Sequence, residues 1–301
     1  MRAHASRAEY SRRMTRVLDF IDAHLDDALE LRVLAEVAHF SPFHFHRVFV
    51  AWVGQTLGDY LRQRRLEAGA LQIADAPQMS VLEVALAVGF GSGEAFSRAF
   101  KLRFGCTPTE WRRGQGGTWA LELGAIRHVW ADRKARRRAF KTLLADGAVD
   151  VRLLTLAPVQ VARLRYVGPM GPGVGLFWRK QVYPWIEANN LVGHARYGMG
   201  LDDPSVTPAA QCRYDACIEV AGPVPAGAVA ATLPGGRYAV LRFNGSAATV
   251  TDAWGMLFGQ WLPASGMQMD QRPCIEHYPP ALPLDQGEDF ACELCMPVVA
   301  L

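Results

Sequence analysis

The chain of 301 residues has no uninterrupted apolar run approaching the roughly 18–20 residues that a bilayer span needs. Its first residues, MRAHASRAEYSRR, lack the apolar core of an export signal. A membrane or exported protein is therefore not expected, and a cytoplasmic one is. Six cysteines (Cys106, Cys212, Cys217, Cys274, Cys292 and Cys295) come with no secretory cue, so free thiols are expected in place of a disulfide framework. Formal net charge is only +3. That balance is too even to mark a nucleic-acid binder without a motif. No Ser-His-Asp or Cys-His arrangement stands out, and the glycine-rich Gly168–Gly175 lacks the Lys-Ser/Thr of a phosphate loop. Cys292 and Cys295 lie three apart in an apolar strand pattern, so their thiols point to opposite faces. His44 and His46 lie two apart on a helix and cannot share an ion. No metal, no cofactor and no catalytic set is expected.

What the chain does have is a stretch from Ser80 to Trp111, SVLEVALAVGFGSGEAFSRAFKLRFGCTPTEW. Ser80 and Glu83 form an S-x-x-E capping box at a helix start. Gly89 falls where the helix end needs a left-handed residue, and Ser92 is placed to cap the next helix. There Phe96, Ala99, Phe100 and Phe104 recur at helical spacing as one buried stripe. Gly93, Glu94, Ser97, Arg98 and Lys101 occupy the opposite face. A short helix, a glycine turn and a second helix with a cationic outer face make a helix-turn-helix, whose second helix enters the major groove.

An earlier stretch, LELRVLAEVAHFSPFHFHRVFVAWVG, repeats this logic. Leu31 to Ala38 is a short helix, His39-Phe40 the turn, Ser41 an N-cap and Pro42 a suitable first helical residue. Phe45, Val48, Phe49 and Trp52 form the buried stripe, which leaves Phe43, His46 and Arg47 facing outward. The two units are joined by a helix capped at Thr56, about 18 residues and so roughly 27 Å long. With the flanking turns it sets two recognition helices about one duplex turn apart, near 34 Å. These motifs resemble the double helix-turn-helix domain of the AraC/XylS family of transcription regulators. ALAVGF, S-x-x-x-FSRAFK and RFG-x-TP-x-EWRR carry the likeness, and His39 in place of the turn glycine departs from it.

Residues 8–113 are thus read as an all-α double helix-turn-helix DNA-binding domain, 114–149 as a linker and 150–301 as an α+β domain. The basic cluster Ala131–Lys141 reads as the solvated face of a linker helix, with contact to DNA phosphates the alternative. From Val151 strands alternate with two amphipathic helices, in two β-α-β-β halves displaced by about 76 residues. That offset matches Trp178 with Trp254 and Glu293 with Cys217. A groove between such halves is a natural ligand site.

The doubled layout, the strand YDACIEV and the terminal ELCMPV resemble a GyrI-like small-molecule-binding domain. The resemblance implies an effector site for cationic or amphipathic ligands, with Glu293 as the receiving carboxylate. A glutamate within FACELCMPVV, an apolar strand, must be paired, exposed or awaiting a cation, since an unpaired buried charge is costly. Trp178, Tyr197, Trp254, Phe258 and Tyr278 are the aromatic candidates, because such faces attract cations; their spacing equally fits a core. The expected protein is a non-enzymatic, ligand-responsive transcription regulator whose partners are duplex DNA, a small-molecule effector and RNA polymerase. The alternative is a DNA-binding protein whose GyrI-like domain hydrolyses or sequesters a toxic small molecule.

Overall fold

A computed structural model describes residues 2–114, 150–202, 207–247, 249–284 and 289–301. The linker expected over 114–149, with its basic cluster, lies outside the described residues beyond Gly114. The chain divides into two units, Tyr10–Leu144 and Met1–Glu9 with Ala145–Leu301.

The helical unit contains α1 (Arg2–Ala23) from Tyr10 onward, α2 (Leu31–Ala38), α3 (Pro42–Val53), α4 (Leu57–Asp75), α5 (Val81–Ala87), α6 (Gly93–Phe104) and α7 (Pro108–Arg112). Its boundaries follow local chemistry. The Ser80–Glu83 capping box forms, with both reciprocal hydrogen bonds, and Thr107 with Glu110 makes a second one. Thr56 and Ser92 cap α4 and α6 through their hydroxyls. Ser41 precedes α3 without capping it; its Oγ sits 2.8 Å from His44 Nδ1 instead. His39 adopts the left-handed conformation (φ 55°) that Gly89 takes in the second unit (φ 79°). Histidine tolerates this region at a cost that glycine avoids, and here the His39 N–H is held by the α2 carbonyls. Leu66, Ala70 and Ile73 of α4 pack with Val84, Phe96, Phe100, Phe104 and Trp111 into the core of the second helix-turn-helix.

The other unit is built on a nine-stranded antiparallel sheet, ordered β1-β6-β9-β8-β3-β4-β2-β5 with β7 added to β9. Its strands are β1 (Val151–Leu156), β2 (Val159–Val167), β3 (Arg196–Gly200), β4 (Arg213–Glu219), β5 (Val229–Leu233), β6 (Gly236–Ser246), β7 (Met267–Met269), β8 (Ile275–Tyr278) and β9 (Asp289–Ala300). Two helices cross the sheet. α8 runs through Pro172–Phe177, a π-helical turn Trp178–Val182 and Tyr183–Ala188; α9 runs through Val250–Met256, a π-helical turn Leu257–Trp261 and Leu262–Ser265. The halves are therefore β2-α8-β3-β4 and β6-α9-β8-β9, joined where β3 pairs β8.

The strand pairing corrects the expected repeat register. β2–β4 sets Arg165 opposite Asp215, and β6–β9 sets Arg242 opposite Glu293. The counterpart of Glu293 is thus Asp215, and Cys217 falls to Cys295. In the helices the π-turns begin at Trp178 and Leu257, so Trp178 matches Leu257 and not Trp254. Paired tryptophans suggested a register that backbone hydrogen bonding does not keep.

Candidate functional site

On α6, Phe96, Phe100 and Phe104 are buried, while Glu94, Arg98 and Lys101 are exposed and Gly93 and Ser97 half-buried. The polar face expected to meet DNA is therefore presented as a strip along one helix. α3 departs from expectation. His46 is 1% exposed and belongs to the interior. Its buried arc takes in His44, Phe45, His46, Val48 and Phe49, wider than the stripe that apolar periodicity marked out. Two histidines among apolar neighbours escaped that reading, which scores polar residues as outward. Arg47 stays half-buried on the rim, and the Phe43 side chain lies outside the described residues.

In the sheet unit the predicted ligand residues separate onto two faces. On the face covered by α8, Trp178 Nε1 donates to the Tyr214 hydroxyl at 3.1 Å. The Tyr214 hydroxyl donates to Glu276 Oε2 at 3.1 Å, and the Tyr278 hydroxyl to the same oxygen at 3.3 Å. The Trp178 ring lies 5.7 Å from both Tyr183 and Tyr278. Tyr278 continues to Phe290 at 6.1 Å and Phe290 to Phe243 at 5.4 Å. Burial, then the neighbouring Glu276 charge, raises the Tyr214 and Tyr278 phenols well above their ordinary values. Both remain protonated donors at neutral pH.

Glu276 sits at the centre of the repeat. It faces Gly198 directly across β3–β8. Gly198 pairs Ala216 next to Asp215, as Glu276 pairs Leu294 next to Glu293, so the two are counterparts and the pseudo-twofold passes between them. A Cβ on Gly198 would run into the Tyr214 hydroxyl and come within 2.8 Å of Glu276 Oε2. The absent side chain in one half makes room for the carboxylate of the other.

Glu293 lies on the opposite face. Arg152 Nη2 donates to Oε1 at 2.9 Å, and His277 Nδ1 lies 3.0 Å from Oε2. Tyr197 stacks on His277, with ring centroids 5.0 Å apart and planes 14° apart. Of the readings left open for Glu293, internal pairing is the one observed. Asp215 repeats the pattern: Arg165 grips it through two bonds of 2.7 and 2.8 Å, and Arg163 stands 3.8 Å away. Trp254 and Phe258 stack on each other along α9, and Phe258 is buried. Beside α9 a hollow of about 550 Å³ is lined by Phe243, Thr249, Asp252, Met256 and Asp289. Through Phe243 it adjoins the aromatic chain that leads to Glu276. Glu276 is not singled out by the sequence because IEHY carries no apolar context of the kind that draws notice to Glu293. A carboxylate two residues from a tyrosine on a short strand was the available signal.

Cys292 and Cys295 diverge as their spacing requires: Cys295 joins the core of the Glu293 face, whereas Cys292 lies near Glu276. Burial pushes both thiols far up, so neither is a reactive nucleophile. Among the described residues no three metal-ligating groups converge, and no helix is long and apolar enough to cross a membrane.

A helix-turn-helix pair followed by a doubled sheet with an aromatic-lined carboxylate defines a DNA-binding transcription regulator with an appended small-molecule-binding domain. Comparison with known proteins agrees. Residues 34–114 match a helix-turn-helix domain and 150–299 a GyrI-like small molecule binding domain. The chain is 26% identical over 306 residues to the transcriptional regulator Rob of Salmonella typhimurium, covering 94% of this chain and 96% of Rob. The right origin-binding protein of Escherichia coli K12 matches equally, at 26% over the same span. The regulatory protein SoxS of Escherichia coli K12 is 34% identical over 96 residues, 32% of this chain and 89% of SoxS. The chain belongs to the AraC/XylS family of transcription regulators and carries a C-terminal GyrI-like domain.

Proposed function

We propose that this regulator responds to an amphipathic organic cation, with Glu276 as the residue that receives its charge. The supporting observation is the position of Glu276 beside the pseudo-twofold axis, among Trp178, Tyr214, Tyr278 and Phe290. The two phenols donate to one oxygen of this half-buried carboxylate, and the surrounding rings offer faces on which a delocalised cation stacks. Asp252 and Asp289 beside the neighbouring hollow add negative potential along the approach. Glu293 serves to hold β1, β9 and β8 together through Arg152 and His277.

For DNA, Arg98 is the leading base-edge reader, flanked by Glu94, Ser97 and Lys101, with Arg47 its counterpart on α3. Titration of the full chain with a cationic dye and its uncharged isostere, in wild type and in Glu276→Gln, tests the effector half. Selective loss of the cation supports the reading; equal loss of both ligands refutes it. The dye recovered chemically unchanged is the expected outcome for a sensor, and its consumption points to hydrolysis.

A further inference from the structure

Two helices, not one, tie the helix-turn-helix units together. α4 runs from the first unit into the core of the second, as its length suggests. From Tyr10 onward α1 runs alongside as a second strut. Near its start, Tyr10 meets Phe40 in the turn of the first unit (ring centroids 5.6 Å), and Arg13 Nη1 donates to the His39 carbonyl at 3.4 Å. Just beyond its end, the Leu25 carbonyl abuts the turn of the second unit: a Cβ on Gly89 would collide with it. From Tyr10 to Leu25 the rise is about 22 Å at helical pitch, so α1 reaches from one turn to the other.

The two struts are fastened by adjacent arginines of α4. Arg64, 6% exposed, donates Nε and Nη2 to Asp22 Oδ1 at 3.0 and 2.9 Å and Nη1 to Glu67 Oε2 at 2.7 Å. Arg65 donates Nε to the Leu25 carbonyl and Nη2 to the Asp27 carbonyl, both at 2.9 Å. Its guanidinium also lies within 2.9 Å of the place a Gly89 Cβ would take. Arg65 thus stands where α1's end, α4 and the second turn converge. Burial lowers the Arg65 pKa, but an arginine so shifted still carries its proton. Backbone carbonyls accept from it in a fixed planar fork, which a flexible single-point donor does not reproduce.

We propose that Arg65 is a positioning residue that sets the separation of α3 and α6, so that the protein accepts only one spacing between its two DNA half-sites. The proposal rests on both helices meeting the same duplex. A bond pair that closes a triangle of helices removes the bending freedom a lone 19-residue helix retains. Without it, α4 still joins the units, but α3 and α6 adopt a range of separations.

The test uses the full chain and a duplex chosen by in vitro selection against it, with the half-site spacing then changed by one base pair either way. Wild type is expected to lose tenfold or more for either change. Arg65→Gln is expected to bind the selected duplex within about threefold of wild type and to lose less than threefold for the altered ones. Arg65→Lys, with the charge but not the fork, should behave like Arg65→Gln. A second readout is the distance distribution between spin labels at Glu36→Cys and Leu102→Cys in a Cys106→Ser background. It should be narrow in wild type and broadened in Arg65→Gln, whether or not DNA binding survives. A wild-type protein indifferent to spacing, or an Arg65→Gln protein with wild-type spacing penalties and label distances, overturns the proposal. Selection of no preferred duplex would instead overturn the bipartite DNA reading, which the label distances do not depend on.

Discussion

Asp215 and Glu293 hold equivalent places in the two halves of the sheet, each opposite an arginine, Arg165 in one and Arg242 in the other. Their environments then diverge. The Asp215 side chain is 2% exposed and gripped by Arg165 through two bonds, whereas Glu293 is 21% exposed and turns to Arg152 and His277. The carboxylate expected to receive a ligand is internally paired, as is its counterpart in the other half.

Asp215→Asn should therefore cost about 2 kcal/mol of stability, because it breaks a charge-assisted pair whose acid is buried. Glu293→Gln should cost about 1 kcal/mol or less, since its partners are partly solvated. Neither should change effector affinity. Chemical denaturation gives the first quantity and calorimetry the second. A large affinity loss in Glu293→Gln with unchanged stability would return that residue to the binding site.

Glu276→Gln preserves shape and removes the charge. Cationic ligands should bind roughly ten- to a hundredfold more weakly, corresponding to about 1–3 kcal/mol for a charge-assisted contact. Neutral aromatic ligands should be affected less than threefold. Calorimetry with a matched pair separates these outcomes.

Gly198→Ala places a methyl group against the Tyr214 hydroxyl and Glu276. The collision is with a ring held from above by Trp178, which cannot retreat far. Effector affinity should fall at least tenfold while DNA binding by the separate helical unit persists. Loss of DNA binding together with effector binding would show that the variant fails to fold.

Arg98→Ala should abolish preference for the selected duplex over random DNA, at about 1–3 kcal/mol per lost base contact, with an unchanged melting temperature because Arg98 is exposed. His46→Ala should do the reverse and lower the melting temperature, since His46 is 1% exposed. Gel-shift titration paired with thermal melting distinguishes a reader from a core residue.

The capping boxes should make the helical unit acid-sensitive. Bonds from the backbone and hydroxyl of Ser80 hold the Glu83 pKa below its ordinary value, and Thr107 does the same for Glu110. A carboxylate depressed in the folded state contributes stability above its unfolded pKa, near 4.3, and loses it as pH falls through the folded value. Melting temperature should drop between about pH 5 and pH 3, and Glu83→Gln with Glu110→Gln should flatten that slope. An identical slope in the double variant would assign the acid sensitivity to other carboxylates.

The sequence by itself determined the helix-turn-helix units. Capping boxes, the turn at Gly89 and the Phe96-Phe100-Phe104 stripe act within a turn or two of helix, so local chemistry suffices to place them. It also determined the doubling of the sheet unit and the divergence of Cys292 from Cys295. Tertiary structure alone decided the rest. His46 is interior because α3 is packed over a wider arc than its apolar stripe. The repeat register follows backbone pairing, which a match of tryptophans cannot see, and that register makes Asp215, not Cys217, the mate of Glu293. Glu276 acquires its aromatic surroundings only when β3 meets β8, bringing Gly198, Tyr214 and Trp178 from distant segments to one carboxylate. Arg65 likewise reads as one more cation on the connecting helix until Leu25 and Gly89 close around it. Side chains whose partners are near in sequence are legible there; those whose partners arrive from across the fold are not, because no local pattern records which strand or loop will come to face them.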